Sequence, residues 1–190
     1  MITLPKLLLA SGSPRRAAIL RSVGWEFDVV VPDIDETELP GEAPDVYVQR
    51  LAREKADAVA LRSPDVPLIL AADTTVVAED QILGKPVDLD DARRMIRILA
   101  GRDHEVLTGV ALVKDGAATI GIERTTVTFA PMTEAEIDFL AVTGDPLDKA
   151  GAYAVQAQAA LFITGIRGDH WNIVGLPINL VYRLMTSFQA

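Results

Sequence analysis

Two hydrophobic periods alternate along this chain. Leu7–Ala10 and Leu68–Ala72 are short unbroken apolar runs with no polar face, the pattern of strands covered on both sides. Phe27–Val31 is β-branched and predicts a further strand. Between these runs the period becomes helical. Pro14–Val23, stopped by Gly24, predicts one helix, and Asp45–Leu61 predicts a longer one with Val48, Leu51, Ala52 and Val59 on its inward face. Val76–Ala78 and Gln81–Leu83 predict a short hairpin around Glu79-Asp80. Asp88 or Asp90 caps a helix reaching Ala100, with Gly101 placed as its C-terminal cap. Glu105–Val113 and Ala117–Phe129 predict two strands joined by Lys114-Asp115-Gly116, where Asp-Gly is a strong hairpin signal. Thr133-Glu134-Ala135-Glu136 spells a capping box whose helix should end near Gly144. Ala160–Thr164 predicts a strand and Pro177–Phe188 the last helix. There is no internal repeat and no linker-like tract. The gaps are short, which predicts one domain over residues 1–190 rather than two freely hinged ones. Strand–helix units mixed with a long hairpin predict an α/β fold: a mixed twisted sheet in two lobes around a central cleft.

Composition narrows the class. Of 190 residues, 49% are hydrophobic, enough for a sizeable core. No cysteine is present, which excludes a disulfide framework, a thiol nucleophile and a cysteine zinc site, and agrees with a reducing compartment. The N-terminus lacks a basic region, Leu7–Ala10 is too short for a signal-peptide core, and no apolar run approaches the ~20 residues of a membrane span. A cytoplasmic protein without membrane attachment is expected. The net charge of −9 argues against broad nucleic-acid binding, yet leaves room for a small phosphorylated ligand in a local cationic pocket.

Several charged residues break the pattern. Ser11-Gly12-Ser13 leads from a strand into a helix, with Ser13 as the expected N-cap and Pro14 at the first helical position. Arg15 and Arg16 then fall in the first turn, at the positive pole of the helix dipole, where cations are disfavoured unless an anion joins them. Lys55 falls on the apolar stripe of its helix, so it either snorkels to the rim or points into a pocket. Lys85 sits in the constrained turn Gly84-Lys85-Pro86. Asp73 ends an apolar strand, and ligands of open α/β sheets gather at carboxyl strand ends. Asp35 and Glu36 follow another strand. Two such carboxylate sources could hold a magnesium ion against phosphates. His104, at the start of a strand, and His170, in a loop, have no metal-ligand spacing. Trp25 and Trp171 read as packing residues.

In order and spacing, these segments resemble the Maf proteins, nucleoside triphosphate pyrophosphatases related in fold to the inosine triphosphatases (a Maf/Ham1-like fold). The matching motifs are Ser11-Gly12-Ser13-Pro14-Arg15-Arg16, Asp35-Glu36-Thr37, Leu51-Ala52-Arg53-Glu54-Lys55-Ala56, Ala72-Asp73-Thr74-Thr75-Val76, Gly84-Lys85-Pro86, Asp148-Lys149-Ala150-Gly151-Ala152-Tyr153 and Val174-Gly175-Leu176-Pro177. The resemblance implies hydrolysis of a nucleoside triphosphate to the monophosphate and pyrophosphate. Asp73 matches the family's general base; Ser11, Arg15, Arg16, Glu36, Lys55 and Lys85 match its phosphate, metal and catalytic positions. It also implies a divalent cation, Mg²⁺ or Mn²⁺, with Glu36 and Asp73 as candidate ligands, and a homodimer. Arg15, Thr74 and Gln156 match the branch that takes dTTP and UTP. The glycines that usually flank that glutamine are absent from Ala154-Val155-Gln156-Ala157-Gln158, and the added methyl groups would narrow the base pocket. The rival expectation is a nucleotide-binding regulator of cell division with little catalysis.

Overall fold

The computed structural model describes residues 4–63, 66, 68–143 and 145–188. The strands are β1 (Leu7–Ala10), β2 (Phe27–Val30), β3 (Leu68–Ala78), β4 (Gln81–Leu83), β5 (Asp103–Lys114), β6 (Ala117–Phe129) and β7 (Ile163–Arg167). The helices are α1 (Pro14–Ser22), α2 (Pro44–Arg62), α3 (Leu89–Leu99), α4 (Glu134–Val142), α5 (His170–Val174) and α6 (Ile178–Ser187). Among the described residues the sheet has seven strands in the order β2-β1-β3-β5-β6-β7, with β4 pairing β3. β1 runs parallel to β2 and β3, whereas β4 and β7 pair antiparallel, so the sheet is mixed as expected.

The chain falls into two compact units. The first comprises Met1–Asp73, Thr108–Glu123 and Gly175–Ala190, and the second Thr74–Leu107 and Arg124–Val174. In the first unit α2 lays Ala52, Ala56 and Val59 against Leu8, Ala10, Ile69, Ala71, Ala111 and Val113. The strand residues lie two apart and the helix residues four and three apart, so each element presents one face. In the second unit α3 and α4 bury Ala92, Ile96, Leu99, Ile137 and Leu140 with Val127, Phe129 and Phe162.

Local chemistry settles several boundaries. Asp88 caps α3 by accepting from the Asp91 amide at 2.8 Å. The capping box at Thr133 and Glu136 forms in both directions. Asp115 (φ 49°) and Gly116 (φ 82°) make the tight turn between β5 and β6, because a two-residue hairpin loop needs positive φ at both central residues. Other expectations are corrected. Leu68–Ala72 and Val76–Ala78 form one strand of 11 residues, so Asp73 lies inside β3. It still lies just beyond the parallel pairing, whose last register is Ala10 with Ala71. Asp73 read as a strand end because the pairing with β4 that carries the strand on to Ala78 is not legible locally. The strand expected at Ala160–Thr164 is displaced: Gln158–Leu161 is a 3₁₀ turn, and pairing with β6 extends the strand to Arg167. His170 opens α5 rather than lying in a loop. α4 closes at Val142, and the expected stop at Gly144 lies outside the described residues.

Candidate active site

In the first unit the turn between β1 and α1 organises around Ser11, which is 5% exposed. Its hydroxyl oxygen accepts from the Ser13 amide at 3.1 Å and from Arg16 Nη1 at 3.1 Å. Ser13 makes no side-chain cap of the kind expected of it; its own amide instead donates to the hydroxyl two residues earlier. Arg16 also donates from Nε to the Gly175 carbonyl oxygen at 2.8 Å. Gly175 has φ 118°, a conformation open chiefly to glycine, and this explains a glycine in that motif. Burial lowers the Arg16 pKa. Asp73 and Glu36 oppose that effect, while neighbouring Arg15 adds to it.

Helix α2 supplies Lys55. Its side chain is 8% exposed and points inward rather than snorkelling. The ammonium meets Asp73 Oδ1 at 2.6 Å and Glu36 Oε1 at 2.7 Å. Asp73 is buried, whereas the Glu36 side chain stays 46% exposed. Hence Ser11, Arg16, Glu36, Lys55 and Asp73 share one neighbourhood, with Arg15 beside them in α1. A buried ammonium between two carboxylates, next to a helix N-terminus rich in guanidinium, can bind a polyanion and move a proton at one carboxylate.

Lys85, Thr74 and Gln156 belong to the second unit. Lys85 and Gln156 are exposed and Thr74 is half-buried. The Gly151 amide donates to the Gly84 carbonyl oxygen at 3.1 Å, which joins the Asp148–Tyr153 motif to the Gly84-Lys85-Pro86 turn. A Cβ on Gly151 would lie 2.8 Å from Val76 Cγ2, so this contact requires glycine. Also in this unit, His104 Nε2 lies 2.8 Å from the Tyr153 hydroxyl, and His104 is 2% exposed.

Among the described residues no three His, Cys, Asp or Glu side chains gather around one cation position. The convergence of Asp73 and Glu36 on one ammonium nevertheless suits Mg²⁺ or Mn²⁺, hard ions commonly held by one or two carboxylates with the remaining positions filled by water and phosphate oxygens. Tyr47 and Arg50 of α2, with Glu42, were not singled out from the sequence. Their contacts run to the acidic loop, and the local signal is that Tyr47 and Arg50 share a helix with Lys55 while Glu42 closes the loop just before it.

A mixed α/β sheet with a strand–turn–helix cation cluster past the ends of its parallel strands defines the class. The solved structure of the Staphylococcus aureus Ham1 protein has the same fold, with TM-score 0.55, 14% identity, and coverage of 96% of this chain and 99% of that one. The chain belongs to the family of Maf-like proteins, whose model matches residues 6–188. It is 46% identical over 183 residues to a dTTP/UTP pyrophosphatase of Symbiobacterium thermophilum, covering 96% of this chain and 94% of that protein. It is 50% identical over 179 residues to a dTTP/UTP pyrophosphatase of Anaeromyxobacter dehalogenans, covering 92% and 89%.

Proposed function

We propose that this Maf-family protein is a nucleoside triphosphate pyrophosphatase acting on dTTP and UTP. The observation that carries the reading is the Lys55 ammonium held between Asp73 and Glu36 beside Arg16. The names of both relatives support the substrates. They are names of enzymes, so the cell-division regulator falls behind.

Arg15, Arg16 and Lys55 offset the phosphate charge, and the Ser11 hydroxyl and Gly175 carbonyl keep the Arg16 guanidinium aimed. Asp73, oriented by Lys55 at Oδ1, accepts a proton from water as the water oxygen attacks the α-phosphorus. The bond from that phosphorus to the bridging oxygen breaks, and its electron pair leaves with pyrophosphate. Glu36 and Asp73 would hold Mg²⁺ or Mn²⁺, which supplies neutralisation of the phosphate charge when bound. Lys85 takes a phosphate role and Thr74 and Gln156 a base-reading role, both on the strength of their motif positions. The Gln156 amide NH2 can donate to the 4-keto oxygen of uracil or thymine, and held in that orientation it meets the amino group of cytosine donor to donor, which leaves a polar group unmatched. A homodimer in a reducing cytoplasm, with no nucleic-acid partner, completes the proposal. Among the described residues no helix is long and apolar enough to cross a membrane.

The test is a panel of dTTP, UTP, CTP, ITP and 7-methylguanosine triphosphate with pyrophosphate detection, with and without divalent metal. Turnover of dTTP and UTP above the others, lost on chelation, is expected. Equal turnover of dTTP, UTP and CTP removes the base-reading role, and nucleotide bound without product in the presence of metal returns the regulator.

A further inference from the structure

The loop between β2 and α2 is acidic, and residues 35–41 are all exposed. A solvated loop of this kind ordinarily samples many conformations. Here one helix holds it at three points. Tyr47 Oη donates to the Glu36 carbonyl oxygen at 3.0 Å. Arg50 Nη2 donates to the Thr37 carbonyl oxygen at 3.1 Å. Lys55 Nζ meets the Glu36 carboxylate at 2.7 Å. Main chain and side chain of the same residue are therefore fixed from α2, two turns apart.

The holding groups are themselves held. Arg50 engages Glu42 with two prongs, Nε to Oε1 at 2.6 Å and Nη2 to Oε2 at 2.7 Å. The Glu42 side chain is only 5% exposed, and its Oε2 also accepts from the Leu39 amide at 3.1 Å. The Arg50 guanidinium lies 5.6 Å from the centre of the Tyr47 ring. Inside the loop, Asp35 Oδ1 accepts from the Thr37 amide at 2.9 Å. A two-pronged, partly buried Arg–carboxylate pair has the geometry that gives an ion pair directional force, unlike a single-contact surface pair.

We propose that Tyr47 and the Arg50–Glu42 ion pair are positioning residues for Glu36, stapling an exposed loop to α2 so that this carboxylate is presented at Lys55 and Asp73. The inference rests on the site reading above. It places the precision of an exposed carboxylate in a helix rather than in the loop that carries it.

Tyr47→Phe keeps the ring and removes only the donor. Its kcat should fall about three- to tenfold, the worth of one neutral hydrogen bond, with KM and thermal midpoint held. Amide exchange in residues 35–38 should accelerate in the same variant. Arg50→Lys, which loses the two-pronged geometry, should do the same. Added to Glu36→Gln, Tyr47→Phe should cause no further fall, because its effect runs through Glu36. Unchanged loop exchange in Tyr47→Phe overturns the proposal, and this readout needs no turnover. A full fall persisting in the Glu36→Gln background overturns it as well. Parent-like turnover of Glu36→Gln instead overturns the site reading on which the proposal stands.

Discussion

A lysine on the apolar stripe of a helix ordinarily runs its stem to the rim and leaves its charge in water. Lys55 keeps its charge inside because Asp73 and Glu36 meet it there. That makes the ammonium structural as well as functional. Lys55→Met strands the Asp73 carboxylate, whose side chain is 10% exposed. Breaking a buried pair from one side costs about 3–5 kcal/mol, and half-exposed Glu36 brings the expected loss to the low end. Calorimetry should register a fall of about 6–12 °C in thermal midpoint. Asp73→Asn removes the proton acceptor while Glu36 still holds Lys55, so the midpoint should move little. Steady-state turnover should instead drop by about 10²–10⁴-fold, the usual contribution of a general base. Near-normal turnover in Asp73→Asn would remove Asp73 from that role. At this scale Lys55 was visible in the sequence as an anomaly of spacing. The Arg16 contact to Gly175 was not, since the two lie 159 residues apart.

The element that matters most is α2, which carries Tyr47, Arg50 and Lys55. Its seat on the sheet depends on Gly109 of β5. A Cβ there would stand 2.2 Å from the Val48 carbonyl oxygen, 2.5 Å from its carbon and 2.8 Å from the Gln49 nitrogen. Those are backbone atoms of α2, so the whole helix would have to shift. Gly121 of β6 is a control: the atoms nearest its Cβ would be the ends of Leu180 and Leu184 of α6, at 3.0–3.3 Å, and side chains can turn aside. Gly109→Ala should therefore lower the thermal midpoint far more than Gly121→Ala, with turnover falling alongside. Overpacking typically costs about 1–3 kcal/mol and more when backbone must move. Equal midpoints for the two variants would refute this close seat. The periodicity of α2 placed its inward face in advance, but nothing near Gly109 in sequence announced the contact.

For the molecule as a whole, acid response separates into two windows. Burial lowers the His104 pKa from 6.5 to about 4. The unfolded chain therefore binds this proton first, and stability falls as pH drops from 6.5 toward 4, by up to about 3 kcal/mol. Asp35, Glu42, Glu134 and Glu136 are held below their usual values by hydrogen bonds. Their stabilisation is present above the unfolded carboxylate range and disappears as pH falls through their folded values, so it acts later in the titration. Urea unfolding at stepped pH should show a slope between pH 6.5 and 4.5 that His104→Gln flattens. An unchanged slope would mean that His104 is not the buried group titrating there.

Periodicity, turn chemistry and capping depend on residues a few positions apart. The strand Leu7–Ala10, the Asp115-Gly116 turn and the Thr133 capping box could therefore be read before any fold was known. The motif residues Ser11, Arg16, Glu36, Lys55 and Asp73 could be named for the same reason. Their partners could not. Lys55 meets Asp73 across 18 residues, and Arg16 meets Gly175 across 159, contacts that arise only once chain closure brings the groups together and burial removes water from between them. The unbroken run of β3 through Asp73 was settled the same way, by pairing with β4, which carries the strand on from Val76 to Ala78.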